Sequence, residues 1–388
     1  MLVIISVFLI ISCKKESTVS NRITFLKTYE TDFTASAEYP MQMPDGGFII
    51  VCSKGAGQLM LIRTDKYGKL AWSKIIQQYG FPPYGADVFQ LSNGSNFIVH
   101  PGSGSNIIKF DTTGKILANI TNPDNLGFSS MIQQGSNFIL PASSGYGSQG
   151  PSINKIYIYN QNLILQSTYS FNDPILGGKT LGFFLNNISS RGDYNILGYK
   201  FPNSNWTYND NSKLFAARIS SSGKVIQTII NATDQKHDDI SNVAQANAND
   251  SEEILLGWRV SLDIYHSSYP VVVKFDNNLD TVWEKDFPVN ADRIVPYTIN
   301  HCNDGGFIIV GTIRKTGFSN NLPYALKIDQ NGNKQWDKTI DAQGGGEFQC
   351  GINLNDGGYV FVGDTPQFGE GLNGTRILFI KTDANGNY

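Results

Sequence analysis

Histidine and cysteine are scarce in this sequence, with four of each among 388 residues. His100, His237, His266 and His301 are dispersed, and no two stand at metal-ligand spacing. No Cys-x-x-Cys pair occurs, which argues against zinc knuckles and thioredoxin-like redox chemistry. No cofactor is expected. Charge is also sparse. Charged residues make up 16% of the chain, and 30 Lys and Arg against 33 Asp and Glu leave a net charge of −3. A balance this close to neutral gives no reason to expect nucleic acid as a partner. No apolar run reaches the roughly 18 residues that a membrane-spanning helix needs. Neither a Gly-x-Ser-x-Gly elbow nor an EF-hand loop is present. The Gly344-Gly345-Gly346 run does not lead from a strand into a helix, as a phosphate cradle requires. No stretch of helical length carries a 3.6-residue apolar period, so helical fold classes are set aside.

The sequence is instead rich in Gly and Asn, with 39 and 37 residues, about one position in five. These residues tolerate positive φ, so the chain is dense in turns. Hydrophobic residues at 40% are enough to bury a large core. The turns recur in phase. Asp-Gly-Gly-aromatic followed by aliphatics stands at Asp45, Asp304 and Asp356, with weaker copies at Asn93, Gln134, Arg191 and Asp250. Behind each copy comes aliphatic-x-Lys-x-Asp-x-x-Gly. Clear copies have their Asp at Asp65, Asp111, Asp329 and Asp383, and degraded ones sit at Asn160, Ser220 and Asp276. From Asp65 to Asp383 the mean spacing is about 53 residues, which divides residues 22–388 into seven units.

Each unit reads as four short strands, a to d. Asp-Gly-Gly turns a into b, a variable loop joins b to c, and Asp-x-x-Gly turns c into d. Four strands repeated at this period are the signature of an all-β, seven-bladed β-propeller of four-stranded blades. The chain ends just after the seventh Asp-x-x-Gly turn, so the last unit lacks strand d. Residues 22–29 supply a strand with no unit before it, and Phe25-Leu26-Lys27 matches the frame of Trp72-Ser73-Lys74, Trp283-Glu284-Lys285 and Trp336-Asp337-Lys338. This N-terminal strand is expected to complete the last blade, close the ring and protect its edges. A monomer is expected. The phased Trp residues are assigned to packing between blades. Cys52, Cys302 and Cys350 fall in or beside apolar strands and read as buried free thiols.

These repeats resemble those of bacterial exported β-propeller proteins. The Asp-x-x-Gly-x-x-x-Trp spacing is also similar to the tryptophan-docking repeat of quinoprotein-like propellers, although that repeat has one more residue between Asp and Gly and usually eight units. The resemblance covers residues 22–388 and speaks to fold.

The N-terminus carries a second resemblance. Leu2 to Ile11 is a short apolar run ending in Ile10-Ile11-Ser12-Cys13, followed by Lys14-Lys15. It resembles a bacterial lipobox. That resemblance implies a signal peptide over residues 1–12, cleavage before Cys13, and fatty acylation of Cys13, palmitate included. Residues 13–21 would then tether an outer-membrane lipoprotein, with the periplasmic or cell-surface side left open. The departure is that no Lys or Arg precedes the apolar run.

Candidate ligand contacts lie in the b-to-c loops, which are longer than a blade requires. They carry Tyr146, Trp206, Tyr208, Tyr265, Phe318 and Phe368 among Asn, Ser and Gly. Rigid rings beside adaptable amides suit a glycan or protein ligand, although such rings also cap blades. The d-to-a loops emerge on the same face. They hold acids including Glu30, Asp124, Asp292 and Glu347, against Lys236 and Arg293. Three functions follow as expectations: a lipid-anchored surface binding protein, a periplasmic scaffold similar to quinoprotein-like assembly lipoproteins, and a propeller hydrolase or lyase.

Overall fold

The computed structural model describes residues 23–388 apart from 31–34, 56, 79–86, 101–104, 129, 144–153, 172–179, 189–192, 201–212, 221–223, 232–236, 245–252, 261–266, 277, 290–292, 316–319, 341–343 and 368–373. Among the described residues every regular element is a strand. In chain order these are β1 (Phe25–Tyr29), β2 (Ala35–Gln42), β3 (Phe48–Lys54), β4 (Gln58–Thr64) and β5 (Leu70–Gln78). Next come β6 (Asp87–Gln90), β7 (Asn96–His100), β8 (Asn106–Asp111), β9 (Ile116–Thr121), β10 (Gly127–Phe128), β11 (Ile132–Gln134), β12 (Asn137–Ser143), β13 (Asn154–Asn160) and β14 (Leu165–Phe171). They are followed by β15 (Thr180–Ile188), β16 (Tyr194–Lys200), β17 (Lys213–Ile219), β18 (Val225–Asn231), β19 (His237–Ala244), β20 (Glu253–Val260), β21 (Ser268–Phe275) and β22 (Thr281–Asp286). The last are β23 (Arg293–His301), β24 (Phe307–Arg314), β25 (Leu322–Ile328), β26 (Lys334–Thr339), β27 (Glu347–Asn353), β28 (Tyr359–Gln367) and β29 (Gly374–Thr382).

The strands pair antiparallel with their chain neighbours into three four-stranded sheets, β2 to β5, β6 to β9 and β15 to β18, and one five-stranded sheet, β12 to β14 with the short β10 and β11 both on β12. The runs β19–β22 and β23–β26 are linked by a single parallel pair, Ser268 with Arg293. The remaining sheet has the order β1-β29-β28-β27, so the first strand pairs with the last, Phe25 opposite Lys381 and Tyr29 opposite Ile377. His237, Asp238 and Asp239 begin strand β19.

The two repeated motifs have local causes. In Asp-Gly-Gly the first glycine has positive φ: 82° at Gly46, 78° at Gly305 and 81° at Gly357. The second is needed for space. A Cβ on Gly306 would meet the Ile328 carbonyl and the Lys327 ammonium, and one on Gly47 would meet Arg63 and the Thr64 carbonyl. That space admits the strand-c cation, which ion-pairs with the turn Asp: Arg63 with Asp45, Lys327 with Asp304 at 3.0 Å and Lys381 with Asp356 at 2.7 Å. In Asp-x-x-Gly the carboxylate accepts backbone N–H bonds two and four residues on, as Asp329 does from Asn331 and Asn333. Two of the degraded copies, at Asn160 and Asp276, keep the turn with a leucine at the left-handed position, φ 59° at Leu163 and 64° at Leu279.

The Gly of each such turn docks on the outer strand of the unit before it. A Cβ on Gly114 would touch Trp72, one on Gly332 would touch Trp283, and one on Gly386 would touch Trp336. Gly68 meets Phe25 and Lys27 in the same way, so β1 occupies the position of an outer strand. Strands b and c are buried on both faces, as β3 and β25 show, whereas β9 and β22 alternate between exposed and half-buried positions. The core lies between sheets. One cluster joins Phe48, Ile50 and Ile62 to Cys350, Val362 and Phe379, packing the last sheet against the first. Cys52, Cys302 and Cys350 are buried and form no disulfide.

Candidate functional site

Polar side chains converge where the inner strands β2, β23 and β27 begin. The cause is a β-bulge at the same place in each. Pairing skips one residue between Ala37 and Tyr39, between Pro296 and Thr298, and between Phe348 and Cys350. The skipped residues are Glu38, Tyr297 and Gln349, each seven positions before the Asp of its Asp-Gly-Gly turn. A bulge leaves one residue out of the ladder and re-aims its side chain. Small residues on the partner strand make room. A Cβ on Gly311 would press on the Val295 carbonyl oxygen, and one on Gly363 on that of Glu347.

Two of the bulged residues, Tyr297 and Gln349, converge on Glu347. The Tyr297 hydroxyl donates to Glu347 Oε2 at 2.8 Å, and Gln349 Nε2 donates to Glu347 Oε1 at 2.5 Å. Asp364 stands directly opposite Glu347 in the β27–β28 ladder. Ser36, on β2, faces Asp364 across the joint between the last and first sheets. Two residues on, the buried Glu38 accepts a hydrogen bond from Ser53 Oγ at 2.9 Å. The glycine run sets this geometry. Gly344, Gly345 and Gly346 have φ of 113°, 121° and 134°, and a Cβ on Gly346 would strike the Asp364 carbonyl oxygen. Asn320 Nδ2 donates to the Gly344 carbonyl at 2.8 Å and Thr365 Oγ1 to that of Gly345 at 2.9 Å, fixing the approach to Glu347.

The electrostatics follow from crowded carboxylates in a confined space. Burial, with the charge of Glu347 behind it, raises Asp364 from 3.8 to about 7, while the Ser36 hydroxyl pulls the other way. Asp364 therefore exchanges its proton near neutrality, next to a second carboxylate. Burial and the Glu347 charge also push the Tyr297 phenol upward. The group offers acceptors to hydroxyl or ammonium donors, and one exchangeable proton. Among the described residues no group of three or more His, Cys, Asp or Glu is placed to hold a metal ion.

Glu347 was foreseen as an acid at this face, whereas Glu38, Ser36, Tyr297 and Asp364 were not. The signal was present for the bulged positions, because a fixed offset of seven from Asp-Gly-Gly picks out Glu38, Tyr297 and Gln349. The acidic rim expected from the d-to-a loops is partly neutralised by strand-c cations. Arg376 pairs with Glu30 at 2.9 Å and Lys155 with Asp124 at 2.6 Å. The ring residues expected to contact ligand, Tyr146, Trp206, Tyr208, Tyr265, Phe318 and Phe368, lie outside the described residues, as does Cys13.

No protein-family model matches the sequence, and no curated protein matches it. Solved structures do. The chain is similar to a catalytically inactive virginiamycin B lyase from Staphylococcus aureus with quinupristin, at a TM-score of 0.55 and 13% identity over 92% of this chain and 99% of that one. It is similar to a streptogramin B lyase at a TM-score of 0.52 and 14% identity, covering 93% and 98%. It also matches the β-propeller domain of Cps50 (Swd1) from Myceliophteria thermophila, at 0.51 and 9%, covering 92% and 99%. The chain has a β-propeller fold. At these identities the likeness speaks to the propeller's shape and not to its chemistry.

Proposed function

We propose that this propeller is a seven-bladed ring closed by β1, anchored through acylated Cys13 outside the cytoplasm, and that it binds a glycan or protein ligand on the face where the inner strands begin. One observation carries the binding reading. Bulges at equivalent positions in three units turn Glu38, Tyr297 and Gln349 out of their ladders, and Tyr297 and Gln349 both bond Glu347, which stands opposite Asp364. Repeat packing alone does not require polar residues there. Lys200 and Lys213, the strand ends on either side of Trp206 and Tyr208, lie level with the start of the inner strand β15 at Thr180. A sugar ring stacks on such aromatics while carboxylates and amides take its hydroxyls.

The experiment is capture on glycan and peptide arrays by the parent, by Glu347→Gln and by the pair Trp206→Ala with Tyr208→Ala. The expected result is capture by the parent, a loss of tenfold or more in each variant, and melting temperatures within a few degrees of the parent. Capture unchanged in both variants overturns the assignment of this face.

A second reading, hydrolase or lyase, is favoured by one specific feature. Asp364, near half-protonation at neutral pH beside Glu347, is a suitable general acid or base. It predicts turnover of a captured ligand, with a pH profile that Asp364→Asn abolishes while capture persists.

A further inference from the structure

The opposite edge of the propeller, where c turns into d, has a different character. Ten large hydrophobic side chains are exposed among the described residues, and all but Ile75 lie at this edge. Leu70 opens β5, Ile116 and Leu117 open β9, and Leu165 opens β14 behind Ile164. Ile226 and Val282 stand second in β18 and β22. Tyr67 sits within a turn, and Tyr388 follows the last one. Singly exposed apolar residues need no explanation, but nine that fall two to six positions after the first residue of a c-to-d turn form a pattern. At four of these turns the glycine rests on the outer strand before it, Gly114 on Trp72 and Lys74 for example, which joins neighbouring units along the edge.

The chain leads from this same edge to its N-terminus. β1 occupies an outer-strand position and begins beneath the Gly68 turn, so the segment before Phe25 departs at the turn edge. Eleven residues lie between Cys13 and Phe25, so Phe25 is twelve steps along the chain. At the reach of an extended chain, an acyl group on Cys13 is held within about 40 Å of that point.

We propose that the turn edge lies on the lipid bilayer, with Leu70, Leu117, Ile164 and their equivalents seated among the headgroups and Tyr67 at the interface. The proposal rests on the anchor reading above. The tether holds this edge at the membrane, and exposed aliphatic and tyrosine side chains then move out of water, as an interfacial surface does. The bulged face is held outward, about one strand length from the bilayer, where a ligand reaches it.

The test uses the full chain purified from membranes and reconstituted in vesicles of phosphatidylethanolamine and phosphatidylglycerol. A membrane-dissolved carbene precursor is photolysed, and labelled peptides are mapped by mass spectrometry, which also reads acylation of Cys13. The expected result is labelling of peptides 65–71 and 112–118 at least fivefold above 119–128 and 347–353. The triple variant Leu70→Ser, Leu117→Ser, Ile164→Ser should reduce it. An acylated chain labelled evenly, or only on its N-terminal peptide, overturns the inference and leaves the anchor standing. A chain not acylated whose edge is still labelled upholds the inference and removes the anchor. Protection of the edge that follows protein concentration without vesicles assigns it to a second copy of the chain and also overturns the proposal.

Discussion

At the scale of single residues, the chain tolerates local strain where burial outweighs it. Leu279 holds φ of 64° at a position that suits glycine, yet its side chain is fully buried. A left-handed leucine costs about 1–2 kcal/mol, whereas its burial contributes about 1.5–3 kcal/mol and a glycine would lose further backbone entropy. Leu279→Gly should therefore destabilise the protein by about 1 kcal/mol rather than relax it. Chemical denaturation with an unchanged m-value would check this, and a stabilised variant would show that the strain dominates. Asp364 gives the opposite kind of cost. Its folded value of about 7 exceeds the ordinary 3.8, so the native state holds the proton more tightly than the unfolded chain. That stability is full below 3.8 and is lost as pH rises through 7. A shift of this size corresponds to about 4 kcal/mol across the window. Asp364→Asn should flatten the fall in stability between pH 4 and pH 8, measured as melting temperature against pH. An unaltered slope would place the titration elsewhere.

At the scale of elements, the turns were legible in the sequence because each is a local demand. Asp-Gly-Gly needs one positive φ and one missing Cβ. Asp-x-x-Gly needs a carboxylate two and four residues before the amides it caps. Both survive as spelling. The inner-strand bulges arise from pairing between strands, so only their offset of seven from the turn is written in the chain. Joining Tyr297 to Glu347 and bringing Ser36 near Asp364 needs neighbouring sheets, which no local pattern reports. The Lys of the second motif had no assigned role until its partner was known. Lys327 is fully buried and relies on Asp304 and the Ile328 carbonyl. Asp304→Ala should leave an uncompensated buried ammonium and cost about 3 kcal/mol. Adding Lys327→Met to it should recover most of the loss, because a similar volume is restored without the charge. Urea melts of both variants decide this, and equal stability of the two would show that the cation is not what is being compensated.

At the scale of the whole molecule, the proposed ring depends on one strand crossing from one end of the chain to the other. Phe25 stands to Gly68 as Trp72 stands to Gly114. Trp72 lies four residues after its own turn glycine, Gly68. Counting four from Gly386 passes Tyr388 and places Phe25 two positions beyond it. Residues 24–30 joined directly after Tyr388 would therefore continue the last unit in register as its fourth strand, Glu30 included, which pairs with Arg376. Deleting the N-terminal segment through Glu30 should expose the edge of β29, uncover Phe379 and Phe48, and lower the melting temperature by 10 °C or more with loss of cooperativity. The chain that begins at residue 31 and carries residues 24–30 after Tyr388 should recover cooperative melting close to the parent. It begins four residues before β2, which starts at the outward face, so an anchor attached there is expected to hold the turn edge away from the membrane. Rescue of folding with loss of edge labelling would then separate the strand's two roles, closing the ring and setting its orientation. Failure to rescue would mean that β1 is held by something other than its register against β29.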